Sequence, residues 1–244
     1  MLDESEFDRW IRAARNAFSA ATSDLEAHHY SWACFKYQQA GEYAAKAFLR
    51  GTGSLSFGHS VSALLNSEGF DAQIVDIAKQ LDKLYIPTRY AYAWSEGTPD
   101  DYYTRENGES AKKGSEAIIE AVLLKSKSLK DEEKREREEV IARACQYSLQ
   151  LPFKCSVLLI GSYARGDFNL WSDIDILVVG EFSSNPIERY SEIDFPAGFE
   201  VIPVRVEEFP VSLKAGNPII VEAARTGVIL RDDYKLVKLL KIEH

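Results

Sequence analysis

The chain has 244 residues, enough for one large domain or for two small ones that each bury a core. Hydrophobic residues make up 45% and charged residues 27%, the balance of a soluble globular protein. The net charge of −9 argues against indiscriminate duplex binding, which relies on neutralising many phosphates, but not against one nucleotide held through a metal ion. Cys34, Cys145 and Cys155 are scattered and lack metal-ligand spacing, as expected of reduced thiols. No basic segment followed by an apolar run opens the chain, and no apolar stretch reaches the roughly 18 residues of a membrane span. A cytoplasmic protein without a membrane anchor is expected.

From Glu4 to about Leu129 the hydrophobic period is helical. Phe7, Trp10, Ile11, Ala14, Ala17, Phe18, Ala21 and Leu25 recur at three- and four-residue steps and share one helical face. A second helix is predicted from Tyr30 to Arg50. Its stripe of Ala33, Tyr37, Ala40, Ala44, Ala47 and Phe48 is mostly small, so a neighbouring helix can come close, and Gly51 and Gly53 stop it. A short helix follows around Val61 to Leu65, then a longer one through Ile74, Ile77, Ala78, Leu81 and Tyr85 that Pro87 ends. The aromatic stretch from Pro87 to Tyr103 reads as an ordered loop, and a last helix is predicted from Arg105 to Leu124. Antiparallel helices with short connections form a bundle.

Lys130 to Glu139 is almost wholly charged and reads as a solvated helix face with i,i+4 pairs, leading through Val140, Ile141, Ala144 and Tyr147 to a stop at Pro152. The expected organisation is therefore a helical domain over 1–129, a charged connecting helix over 130–152, and a second domain over 153–244. In that last part the period changes. Val157–Ile160, Ile174–Val179 and Phe199–Val206 are short, aliphatic and β-branched, as buried strands are. Asn217–Thr226 reads as a helix closed by Gly227, with a strand at Val228–Leu230. The fold class is α+β in two domains, a helical bundle followed by a small mixed α/β domain.

The chemistry concentrates between Gly161 and Val178. A Gly161-Ser162 turn follows the first strand, where two backbone amides and the Ser162 hydroxyl can face phosphate oxygens. A helix starting there would add a favourable partial charge for an anion. Asp173 and Asp175 are two apart on the next strand, so both side chains leave one face while Ile174 and Ile176 point to the other. Paired carboxylates repel and call for a cation, and oxygen ligands favour a hard one such as Mg²⁺.

The string GSYARGDFNLWSDIDILV resembles the signature of the polymerase-β-type nucleotidyltransferase superfamily, and its Ala-Arg-Gly and Ser-Asp-Ile-Asp forms are most like the minimal nucleotidyltransferases of prokaryotes. The resemblance covers about 90 residues. It implies that Gly161 and Ser162 hold the triphosphate of a nucleotide and that Asp173 and Asp175 hold one or two Mg²⁺ ions. A third carboxylate from a later strand is best matched by Glu200, with Asp194 as the competitor. Arg165 either touches phosphate or pairs with Asp167. The implied reaction transfers a nucleoside monophosphate, with AMP from ATP expected, to a hydroxyl on a small molecule, an RNA end or a protein tyrosine, releasing pyrophosphate.

Tyr37-Gln-Gln-Ala-Gly-Glu-Tyr-Ala-Ala-Lys-Ala-Phe-Leu49, with Gly51 and with His59-Ser60 ahead of Leu64-Leu65, resembles the HEPN family of helical bundles, over roughly residues 5 to 128. HEPN bundles often pair, so a homodimer through the helical half is among the partners this implies. Many are ribonucleases that place a His four to six residues after an Arg. Here Arg89 is followed by Trp94 where the His would stand, which removes a general acid or base. His59 is expected to cap or pack at a helix start, and Tyr90 and Tyr92 to pack in their loop. Two alternatives to the transferase stand beside it. One is a nucleotide-binding regulatory module without turnover. The other is an RNA-cleaving HEPN toxin fused to its transferase antidote.

Overall fold

The computed structural model describes residues 2–169 and 171–238, so Leu170 within the signature and residues 239–244 of the expected second domain lie outside the described residues. The chain divides into two compact units, Met1–Lys130 and Asp131–His244.

In the first unit, α1 (Glu4–Glu26) starts at Asp3, whose carboxylate accepts the amides of Ser5 and Glu6 and so satisfies two donors that a helix start leaves open. Its buried face is Phe7, Ile11, Ala14, Ala21 and Leu25. α2 (Tyr30–Gly51) buries Ala33, Ala40, Ala44 and Ala47 completely, the small stripe that lets its neighbours approach. The third helix, α3 (Val61–Ser67), is capped by Ser60. The fourth, α4 (Ala72–Asp82), ends before the Tyr85 to Pro87 stop read from the sequence. The reason is Asp82, which accepts the amides of Val61 and Ser62 and the Ser60 hydroxyl, pinning the end of α4 to the start of α3.

A single helix, α5 (Arg105–Gln150), replaces the two expected between Arg105 and Pro152. The run from Lys125 to Glu139 holds no Gly or Pro, and its Lys, Glu and Arg residues are strong helix formers, so nothing interrupts the backbone ladder. Ala111, Ile118 and Val122 of α5 join the first core, and Val140 and Ala144 join one in the second unit.

Buried beneath α2 is a polar cluster. The Glu42 carboxylate, almost fully enclosed, accepts Lys46 at 2.8 Å, Gln39 at 2.9 Å and the His59 ring nitrogen at 3.1 Å. His59 stacks on Tyr85 at 4.6 Å, so it packs as expected, while Ser60 does the capping.

In the second unit a four-stranded sheet has the order β3-β2-β1-β4. β1 (Cys155–Leu159) runs antiparallel to both β2 (Ile174–Gly180) and β4 (Val228–Asp232), and β2 runs parallel to β3 (Phe199–Arg205). The parallel pair needs a crossover, supplied by α7 (Pro186–Ser191). One sheet face carries Val157, Leu159, Ile176 and Val178 against Val140, Ala144, Tyr163 and Phe168. The other carries Leu158, Leu177 and Val179 against Phe209 of α8 (Glu208–Lys214) and Ile220 and Ala223 of α9 (Pro218–Thr226). With both faces covered, β1 and the end of β2 read as continuous apolar runs rather than alternating ones.

Candidate active site

β1 stops at Leu159, and the amide of Ile160 donates to the Asp175 carbonyl at 3.0 Å, which ties the strand end to the neighbouring acid. The chain then turns at Gly161 with φ +70°, a left-handed conformation that only glycine adopts cheaply. A Cβ on Gly161 would overlap the Asp175 carboxylate and lie 3.2 Å from its Cγ. Two separate demands, backbone hand and close approach, thus require glycine at this point. From Gly161 the one-turn helix α6 (Gly161–Arg165) begins, and its first amides have no acceptor within the helix. Ser162 sits half-buried among them.

Asp173 precedes β2 and is exposed, and Asp175 is its second residue and half-buried. Asp175 alternates with Ile174 and Ile176, so it leaves the sheet on the face of Leu177, Val179 and α9. Glu200 stands directly beside it in the parallel register of β2 and β3, one strand spacing of about 4.8 Å away and on the same face. Asp194 lies in the exposed loop before β3. The Asp175 carboxyl is pushed above the ordinary carboxylate range, first by burial and then by Glu200, Asp173 and Glu222, with Arg165 opposing.

Arg165 spans the other side of the turn. Its Nε donates to both Asp167 oxygens at 3.1 Å, and its guanidinium also pairs with Glu222 of α9. Of its two expected roles, this geometry displays the pairing with Asp167. Glu222 was not singled out from the sequence. It lies within a run that reads only as an amphipathic helix, and no local spacing ties it to Asp175. An open cavity of about 360 Å³ lies beside it, lined by Arg165, Pro218, Val221, Glu222, Arg225 and Thr226. A larger one in the first unit, about 440 Å³ between α4 and α5, carries no Asp, Glu or His and offers no acid–base or metal chemistry.

The site's electrostatics suit a hard cation. Among the described residues, no hydrogen bond or ion pair engages the side chains of Asp173, Asp175 or Glu200, and burial with like charge penalises Asp175 as an anion. A divalent ion would relieve that penalty, and carboxylate oxygens are its usual ligands. Among the described residues no three Asp, Glu, His or Cys side chains are drawn closely enough together to hold an ion as they stand.

In the helical unit, Trp94 is a packing residue. Its indole donates to the Pro87 carbonyl at 2.8 Å and stacks on Tyr102 at 4.0 Å. Arg89 lies over Phe35, Tyr85 and Tyr90, with its Nε on the Tyr85 carbonyl. Tyr92 departs from the expected packing, because it is 77% exposed with only the Tyr90 ring stacked against it.

A family model for the HEPN domain matches residues 7–132, more than half of the chain. The chain belongs to the HEPN domain family. A second model, for the nucleotidyltransferase domain, matches residues 137–221, so the HEPN unit is followed by a nucleotidyltransferase domain that contains the Gly161 turn and all three candidate carboxylates. "Putative protein adenylyltransferase MJ1305" of Methanocaldococcus jannaschii is 36% identical over 73 residues, which is 27% of this HEPN-family chain and 50% of the relative. The chain thus spans about half the length of the curated relative it matches. Three solved structures resemble it over about half of its length. A Thermus thermophilus protein is 37% identical (TM-score 0.47, 49% of this chain and 97% of that one). An archaeal HEPN homologue is 33% identical (0.44, 49% and 96%). A Thermotoga maritima HEPN domain protein is also 33% identical (0.38, 47% and 93%). Among the described residues no helix is long and apolar enough to cross a membrane.

Proposed function

We propose that the second unit transfers AMP from ATP, with Mg²⁺, to a hydroxyl acceptor and releases pyrophosphate. The observation that carries this reading is the nesting of the Asp175 carboxylate against the Gly161 turn, which sets a phosphate-binding backbone and a metal-seeking acid side by side. In it, the first amides of α6 and the Ser162 hydroxyl hold the triphosphate, as helix starts hold anions. Asp173 and Asp175 hold the metal, and Glu200, beside Asp175 in the sheet, is the third ligand. Mg²⁺, when bound, supplies charge stabilisation for the attacking and leaving oxygens. The acceptor oxygen forms a bond to the α-phosphorus as the bond to the β-phosphate oxygen breaks. The hydroxyl proton passes to a carboxylate, for which Glu200 is placed, and Arg165 exchanges Glu222 for phosphate.

A protein tyrosine is the favoured acceptor. The relative's printed name is that of a protein adenylyltransferase, and Tyr92 offers an exposed phenol within this chain. The protein would work in the cytoplasm and pair through its HEPN unit. Intact-mass analysis after incubation with ATP and Mg²⁺ tests the acceptor. Addition of AMP that disappears in Tyr92→Phe supports it, whereas pyrophosphate release with unmodified protein directs the search to a small molecule or RNA end.

A further inference from the structure

The charged run was expected to be a solvated face, and most of it is: Asp131, Glu132, Lys134, Arg135, Glu138 and Glu139 are exposed. Arg137 is not. Its Nε donates to the Tyr163 carbonyl at 2.7 Å and its terminal nitrogen to the Ala164 carbonyl at 2.6 Å. Both acceptors lie in the last turn of α6, where carbonyls have no partner within the helix. The one other carbonyl engaged there, Ser162, is taken by the amides of Gly166 and Asp167. Gly166, at φ +86°, turns the chain away and leaves room for the guanidinium, since a Cβ there would stand 3.8 Å from the Arg137 Nε. The adjacent Glu136 accepts the Tyr163 hydroxyl at 3.0 Å, and Tyr163 stacks flat on Phe168 at 4.2 Å.

A five-residue helix does not hold itself together in water. α6 is fixed at its front by Gly161 against Asp175, and its back end would fray without a partner. A planar guanidinium bonded to two carbonyls supplies one, and its charge complements the negative end of the helix. The amides that face phosphate belong to the same single turn, so a shift at one end displaces the other.

We propose that Arg137 is a positioning residue for nucleotide binding, clamping α6 from α5 so that the Gly161–Ser162 amides are set for the triphosphate, with Glu136 and Tyr163 as the supporting contact. This rests on the transferase reading, because it assigns to α6 the nucleotide that reading places there.

The test compares the full-length wild type with Arg137→Ala, Arg137→Lys and the exposed neighbour Arg135→Ala, measuring ATP dissociation constants by calorimetry with Mg²⁺ and steady-state pyrophosphate release. Arg137→Ala is expected to raise the ATP Kd and KM about tenfold with a much smaller change in kcat, because the turn holds the triphosphate in ground and transition state alike. Arg137→Lys, keeping the charge but able to make only one directed bond, is expected to recover part of the loss, and Arg135→Ala to match the wild type. If Arg137→Ala does not fold, the Arg137→Lys variant carries the comparison, with amide exchange at residues 161–166 expected to accelerate. Wild-type affinity in the folded variants overturns the clamp and leaves the transferase reading standing. A wild type that binds no nucleoside triphosphate overturns both.

Discussion

Replacing Asp175 by Asn should make the protein more stable and inactive. In the folded protein Asp175 is half-buried beside Glu200 and Asp173, and its carboxyl is held above the ordinary range by burial first and by those acids next. Two unit charges about 5 Å apart repel by about 0.8 kcal/mol at bulk-water dielectric and about 1.7 kcal/mol at half that value. With discounting for solvent screening at this edge of the sheet, relief of about 1 kcal/mol is expected. That corresponds to a rise of about 2–4 °C in the melting temperature for a chain of this size. The sign with pH follows from the direction of the shift. The folded state binds the Asp175 proton more readily than the unfolded state, so the wild type carries its full penalty above the folded pKa. The penalty fades as pH falls through the folded pKa towards the ordinary value of 3.8. Thermal unfolding at pH 7.5 and at pH 4, each with and without Mg²⁺, reads this out. The Asn variant should melt higher than the wild type at pH 7.5 without metal, by a margin that shrinks at pH 4. Mg²⁺ should raise the wild type alone. A variant that melts lower at pH 7.5, or that gains as much from Mg²⁺ as the wild type, would refute the reasoning.

Gly161→Ala should lose about 1–2 kcal/mol of stability from the left-handed backbone alone, more as Asp175 is displaced, and should abolish ATP binding. Denaturant titration and calorimetry check both. Glu200→Gln should lower kcat at least tenfold, while Asp194→Asn, in the exposed loop, should leave pyrophosphate release unchanged. Equal effects would remove Glu200 from the site. Glu42→Ala should destabilise the HEPN unit by about 3 kcal/mol, because it leaves the largely enclosed Lys46 without its carboxylate. Unchanged circular-dichroism melting would show that water replaces the lost partner.

The parts of the fold that the sequence displays are those with local cause. β1, β2 and β3 follow from short aliphatic runs, and the Gly161 turn and the Asp-x-Asp pair follow from two residues and one period. What it hides depends on long-range contact. α5 is continuous because helix propensity carries it through a stretch with no apolar stripe, and an apolar period is the signal by which a helix is usually read. Gln38, Glu42 and Lys46 sit among alanines at helical spacing, yet only the approach of the loop bearing His59 makes Glu42 a hub. Glu222 reaches Arg165 across 57 residues and Arg137 reaches Tyr163 across 26, and no local pattern announces either. Tyr92 was misread because aromatic residues close to Trp94 suggest a packed loop, whereas its neighbours stack on one another and leave it outside.

The central claim is nucleotidyl transfer at the Gly161–Asp175 nest. The measurement that meets it most directly is pyrophosphate release from ATP with Mg²⁺ by the full-length wild type beside Asp175→Asn, with labelled AMP followed onto protein. The account predicts release and label with the wild type and neither with the variant. Equal release from both proteins, or none from the wild type with any nucleoside triphosphate, would contradict it.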